Sequence, residues 1–308
     1  MKAPTQQQAK LLARSELIRA KPPASDELAF NHSVLCQIGL PRREVKGHEF
    51  LRSSGAAWLH VQAGLLDFGD GPVRQPVPYG AMPRLALIWV TSLAKRLNTP
   101  EIPIGRSAAD FLHRLGYDNQ GHRYHTLRQQ LHALAACRLQ LGLLGRTFND
   151  QPVAKMDAWL PAKRQQSHRW PGTLILSADF FEELSHHAVP LDARALHTLR
   201  GSALALDIYA WLAHRLHRLD HKPLWLSWHA LKAQFGHEYA GTYALGNFKR
   251  SFTRALLRTM IVYPDRVEAK PSGLELHQSP PPVPQRILPA YPNKNPAMRD
   301  IRSGGTAT

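Results

Sequence analysis

Hydrophobic positions along the chain change period repeatedly, and the changes mark out its elements. Over 85–97 apolar residues fall on nearly all sides, which predicts a buried helix with Pro83 at its first position. Pro100 and Pro103 end it, with a short extended piece at 102–104. Residues 107–115 read as a helix capped by Ser107 and closed by Gly116. A longer helix over 122–137 turns Leu127, Leu131 and Leu134 inward, and Leu139, Leu141 and Leu143 then alternate as a strand does. Residues 173–176 read as a strand, Asp179 to Glu182 has the spacing of a capping box, Asp192 caps another helix, and 202–219 is a long one. After an extended piece at 223–226, Ser227 caps a short helix through Trp228, Leu231 and Phe235 to Gly236. The helix over 247–260 buries Phe248, Phe252, Ala255 and Leu256. On its other side Arg250, Arg254 and Arg258 recur every four residues, a row roughly 12 Å long at about 1.5 Å rise per residue. Residues 266–270 and 274–277 alternate around Pro271, Ser272 and Gly273 and predict a β-hairpin.

The remaining segments are less periodic. Residues 34–40 and 58–68 look like short strands and turns. Residues 145–172, with Lys155, Lys163, Arg164 and Arg169, read as a loose hairpin or a linker. Residues 1–32 read as a flexible basic arm, and 279–308, rich in proline, as a disordered tail.

The two halves repeat one another. Leu85-Ala86-Leu87, Leu93-Ala94 and Arg96-Leu97 recur as Leu204-Ala205-Leu206, Leu212-Ala213 and Arg215-Leu216. One further residue of offset aligns Pro103 with Pro223, Ser107 with Ser227, and Gly116 with Gly236. Each half reads as helix, extended piece, capped helix, long helix and strands, which is the order of a winged helix-turn-helix. The expected fold is therefore α+β and helix-rich, with two tandem winged helix-turn-helix domains. The first spans 33–177 and serves dimerisation or DNA-backbone contact; the second, 178–278, is the DNA-binding domain.

Charge adds a partner to this picture. Lys and Arg number 39 against 23 Asp and Glu, a formal net charge of +16, and the isoelectric point is about 10.2. An excess of this size favours a polyanion through long-range attraction and counterion release. Only Cys36 and Cys137 are present, too few for a disulfide framework or a metal cluster. The first ten residues form no apolar leader, and the longest apolar run falls short of a membrane span. The reading is of a cytoplasmic protein with no membrane contact.

Catalytic chemistry finds no foothold. The chain has no P-loop, nucleophile elbow, Cys-x-x-Cys or His-Glu-x-x-His, and its acidic residues form no evident two-metal set. The 17 histidines include pairs with i, i+3 spacing, His122 with His125 and His214 with His217, and are read as surface or groove-edge residues. Trp225 and Trp228 are read as core. No enzymatic role, metal or cofactor is expected. Candidate DNA contacts are Asn247, Lys249, Arg250, Arg254 and Arg258 on the long second helix and Arg266 and Lys270 on the hairpin. In the first half, His122, Arg123 and Arg128 occupy the equivalent helix with sparser charge. Arginine pairs bidentately with guanine and asparagine with adenine, while phosphates accept from any of these groups.

The run from Leu204 to Leu216, Pro223 to Ser227, Leu231 to Gly236, and Phe248-Lys249-Arg250-Ser251-Phe252 with Leu256-Leu257 resembles RepA-type plasmid replication initiators. The resemblance is most specific over 179–277 and omits the tail. It implies a second domain that inserts its recognition helix into origin repeats called iterons, and a first domain that contacts backbone or forms a homodimer. It also implies recruitment of a host replicative helicase and repression of the protein's own gene. The alternative is a tandem winged-helix repressor without replication activity.

Overall fold

The computed structural model describes residues 6–157, 159, 170–264 and 266–284. Helix α1 (Gln6–Ala20) is followed by strand β1 (Leu28–His32), buried along its whole length, and by the short helix α2 (Ser33–Gln37). The His32 imidazole Nδ1 accepts the Val34 amide at 3.2 Å and opens α2. The apolar start of 34–40 therefore winds as helix, where alternation suggests a strand. Strands β2 (Glu49–Ser54) and β3 (Ala57–Gln62) form a hairpin, and β4 (Leu65–Asp67) pairs with β5 (Pro72–Arg74) as an exposed ribbon. Between β3 and β4, Gly64 passes so close to the Ala136 carbonyl oxygen that any Cβ would overlap it.

Helix α3 (Ala81–Leu97) buries most of its residues from Met82 to Ala94, as its all-round apolar pattern requires. Pro83 lies in the first turn, where a missing N–H forfeits no helical hydrogen bond. Asn98 ends the helix at φ 52°, its amide donating to the Ala94 carbonyl. Strand β6 (Glu101–Pro103), α4 (Ala108–Arg114) and α5 (Gly121–Ala136) follow. Next come β7 (Arg138–Leu143) and β8 (Arg146–Asp150), joined by Leu144 and Gly145, both at positive φ. That two-residue turn matches the twist of paired strands. Strands β9 (Val153–Met156) and β10 (Thr173–Leu176) complete the first half. The loose hairpin or linker expected over 145–172 is thus partly strand, in β8 and β9; Lys163, Arg164 and Arg169 lie outside the described residues.

Helix α6 (Ala178–His187) is capped by Ser177, whose hydroxyl accepts the Phe180 amide at 3.1 Å, and Asp179 falls inside the first turn. The capping box read from Asp179 is displaced by this better-placed hydroxyl. Strand β11 (Ala188–Asp192) leads to α7 (Ala193–Leu199), which Asp192 caps as expected, and then to α8 (Ala203–Arg215), which gives way to a 3₁₀ turn at Leu216–Arg218. Strand β12 (Leu224–Ser227), α9 (Trp228–Phe235), α10 (Ala244–Val262), β13 (Val267–Lys270) and β14 (Gly273–Leu276) close the described chain.

The architecture is mixed α+β, with two three-stranded sheets of matching topology. Their orders are β6-β10-β9 and β12-β14-β13; in each, the strand ahead of the capped helix pairs antiparallel with the last strand. The Ser107 and Ser227 hydroxyls each accept the amide three residues on, from Asp110 and Ala230, both at 3.2 Å. Between α5 and β9 the first half diverts through β7 and β8, which join β2 and β3 in a four-stranded antiparallel sheet.

Contacts across residue 178 are extensive. Strand β1 pairs with β11 over five residues, Leu28 to His32 against Asp192 to Ala188. Thr91 and Ser92 of α3 satisfy the Phe30 carbonyl and amide, each at 2.7 Å. At the α3–α8 seam, Arg84 forks onto Asp207, Nε to Oδ1 at 2.7 Å and Nη2 to Oδ2 at 2.9 Å.

Two end segments differ from expectation. Residues 6–20 are helical and α1 packs on α10 and α7, with Arg19 donating to the Ile261 carbonyl at 3.0 Å and Ser15 buried. Val283, at the start of the expected tail, is buried with Leu28 and Phe30. Long-range packing supplies what local periodicity lacks in both. Residues 285–308 lie outside the described residues.

Candidate nucleic-acid interface

Helix α10 is held by an aromatic ladder on its inner side. Phe248 and Phe252 are fully buried and stack with Phe235, Tyr239 and Trp228 at centroid distances of 5.4–6.0 Å. With that side anchored to α9, the helical repeat turns Gly246, Asn247, Arg250, Arg254 and Leu257 outward. Asn247, Arg250 and Arg254 are exposed, and among the described residues none offers Arg250 or Arg254 a carboxylate. Leu257, 60% exposed, closes this face on the C-terminal side of Arg254. Among the described residues, no helix is long and apolar enough to cross a membrane.

The other candidates on this half are more engaged. The Lys249 ammonium donates to the Pro271 carbonyl at 2.8 Å and lies 5.2 Å from the Trp228 ring centroid, so it ties α10 to the hairpin turn. Arg258 is half-buried and leans toward Gly201, where a Cβ would lie 3.9 Å from its Nη2. On the hairpin, Arg266 is exposed, but Lys270 pairs with Glu275 and lies 3.6 Å from Glu268. Glu275 beside it holds the lysine above its usual pKa. Glu268, Glu275 and His277 bring three metal-type side chains together, with the Lys270 ammonium already set against both carboxylates.

Helix α5 presents less free charge. His122 is exposed at its first turn, Arg123 pairs with Asp118 and lies over the Tyr117 ring at 5.0 Å, and Arg128 lies 5.8 Å from the Trp159 ring centroid. Trp228 is buried, as expected, whereas Trp225 is 44% exposed on β12 opposite Glu275. Trp225 sits on the outer side of its strand, a facing that a four-residue strand does not reveal by pattern.

Sequence reasoning misses a charged junction between the halves. Arg42 donates through Nε to Glu238 at 2.9 Å, and Arg52 is buried close by. Burial, then repulsion from Arg42, lowers the Arg52 guanidinium to about 10. Burial, then Arg52, lowers His237 to about 4. Arg42 comes from the loop before β2, Arg52 from β2, and His237 and Glu238 from the loop after α9, so no local spacing marks the group.

A helix-rich α+β protein with one open arginine face, buttressed by a second and more neutralised half, is the class these features define. Its particular place comes from family comparison: residues 77–229 match plasmid-encoded RepA protein, and the chain belongs to that family of plasmid replication initiators. The match covers α3 through β12 and ends at His229 in the first turn of α9, so α10 and the hairpin lie beyond it. It therefore overlaps only the first part of 179–277, where the sequence resemblance is most specific. Curated proteins give no match. Among solved structures, the crystal structure of RctB domains 2-3 superposes with a TM-score of 0.48 at 13% identity, covering 79% of this chain and 94% of that one. A selenomethionine derivative of RctB domains 2 and 3 gives 0.48 at 16% identity, with 77% and 86% covered.

Proposed function

We propose that the chain initiates plasmid replication by binding iterons in duplex DNA, acting as a binding protein rather than an enzyme. On this reading 33–177 and 178–278 are tandem winged helix-turn-helix domains, and α10 enters the major groove. The observation that carries it is the outer face of α10, where Asn247, Arg250 and Arg254 stand exposed and, among the described residues, no carboxylate pairs with the arginines. A major groove about 12 Å wide admits a helix, and Arg and Asn match guanine and adenine edges bidentately. Leu257 beside them suits a thymine methyl. The hairpin is the wing and reaches backbone through Arg266, because Lys270 is neutralised by Glu275. Helix α5 contacts backbone or serves a homodimer; a host replicative helicase is the further partner such a role calls for.

The test is the affinity of the full chain for the repeats flanking its gene and for a scrambled duplex. Arg254→Ala is expected to lower repeat affinity roughly 5- to 150-fold, corresponding to about 1–3 kcal/mol for a lost base contact. A phosphate contact would instead lower the salt slope by about 1 for both duplexes. Unchanged affinity and unchanged slope remove α10 from the reading role.

A further inference from the structure

Four arginines from four parts of the chain converge where α1, α5, α10 and the turn between α7 and α8 meet. Arg200, half-buried in that turn, is held from both sides. Its Nη1 donates to the His197 carbonyl at 2.5 Å, and its own carbonyl accepts the Tyr117 hydroxyl at 3.0 Å. Gly116 approaches closely enough that a Cβ there would lie 3.4 Å from the Arg200 Cδ. The next residue, Gly201, faces the Arg258 Nη2 of α10. Arg123, at the start of α5, covers Tyr117. Arg14, exposed on α1, is near enough with Arg123 to disfavour the charge on Arg200, after burial itself. His113 and His197 border the group, and the Asp118 carboxylate that faces Arg200 is already paired with Arg123. Among the described residues, Arg200 Nε and Nη2 and the Arg258 guanidinium have no acceptor.

Gathering like charges at one surface point costs free energy unless an anion completes it. The place is also specific, because it lies between the first turn of α5 and the C-terminal half of α10. We propose that Arg200 and Arg14, with Arg123 and Arg258, form a clamp for DNA-backbone phosphates that spans the two halves. The clamp grips the strand running between the two grooves and sets the spacing of α5 and α10 on one duplex. It rests on the DNA-binding reading above and adds a site that neither the hairpin nor the outer face of α10 contains.

The experiment is fluorescence anisotropy of the full chain with a labelled duplex of the gene-flanking repeats and a scrambled duplex of equal length, across a salt series. Arg14→Ala/Arg200→Ala is expected to lower the slope of log affinity against log salt by about 2 on both duplexes, at about 0.9 per phosphate contact. The accompanying loss is roughly 30-fold at 0.15 M salt. Arg200→Lys keeps the slope because it keeps the charge. Arg14→Ala, on an exposed residue with no fold-holding contact, lowers it by about 1 if the double variant fails to fold. A wild-type slope in both alanine variants overturns the clamp while leaving α10 as the reader. Absence of binding to either duplex by the wild-type chain sinks the clamp and the DNA-binding reading together.

Discussion

The ion pair between Arg84 and Asp207 is expected to be the strongest single link between the two halves. Both side chains are buried, at 5% and 6% exposure. A guanidinium has five N–H donors, and Arg84 uses all of them. Nε and Nη2 serve Asp207, Nη1 serves the Pro41 carbonyl at 2.9 Å and the Gly80 carbonyl at 2.6 Å, and Nη2 also serves Leu40. Asp207→Ala leaves the charge buried with its two carboxylate bonds gone, a loss of about 3–5 kcal/mol. At about 2–4 °C per kcal/mol for a chain of this class, the midpoint should fall by roughly 10 °C. Arg84→Met should cost at least as much, since it strands the Asp207 carboxylate and three backbone carbonyls. The double variant should cost less than the sum, because each change removes the other's unpaired charge. Gly39→Ala reaches the same break independently, as a Cβ there overlaps the Asp207 carboxylate. Urea unfolding at neutral pH, followed by far-ultraviolet circular dichroism and by tryptophan fluorescence, measures all of these; Trp211 is fully buried one turn from Asp207. A cost below about 1 kcal/mol for Asp207→Ala, or strict additivity in the cycle, refutes the assignment.

Two further outcomes follow from the charges around the site. Arg266→Ala is expected to lower the salt slope of duplex binding by about 1, whereas Lys270→Ala leaves it nearly unchanged because Glu275 already neutralises that ammonium. Equal slopes for the two variants would show that the hairpin pairing opens on DNA. Stability should fall between pH 7 and pH 5. Burial, then Arg128, holds His132 at about 4, and burial, then Arg218, holds His214 at about 3. Each accepts a hydrogen bond on Nε2, from the Trp159 amide at 3.0 Å and from Arg218 at 2.6 Å, so each must stay neutral there. Their stabilisation is complete above the unfolded pKa near 6.5. It is lost as acid protonates the unfolded chain first, at up to about 1.4 kcal/mol per histidine per pH unit. Urea midpoints at the two pH values check this, and a flat or rising stability toward pH 5 contradicts it.

What the sequence makes legible here is punctuation and amphipathic pattern. Ser107 and Ser227 cap helices through identical local bonds, and the buried face of α10 follows from Phe248, Phe252 and Leu256. The hairpin around Pro271 to Gly273 is equally local. What stays hidden depends on distant partners. Strand β1 exists because β11, some 160 residues away, gives it a neighbour. Residues 34–37 wind as helix because the His32 side chain caps them. Helix α1 has a weak pattern of its own and rests on α10 and α7. For the site, spacing identifies Arg250 and Arg254 as outward-facing but not the fate of Lys249 or Lys270. Whether a basic side chain is free depends on the acceptors beside it, here the Pro271 carbonyl and the Glu275 carboxylate.

That distinction orders the two halves on the DNA-binding proposal. Both present a long helix after a serine-capped one, yet Arg123 and Arg128 on α5 are committed to Asp118, Tyr117 and Trp159, while Arg250 and Arg254 on α10 are not. An arginine already paired in the free protein must exchange that partner for a base edge, so it gains less from sequence than an unpaired one. Phosphate contact tolerates such sharing, because it needs charge near the backbone rather than a bidentate fork on one base. Discrimination between sequences should therefore reside mainly in α10, and placement along the duplex in α5 and the arginines around Arg200. The Arg84–Asp207 link then matters for function as well as stability: a reader and a positioning half help one another only while the distance between them is held.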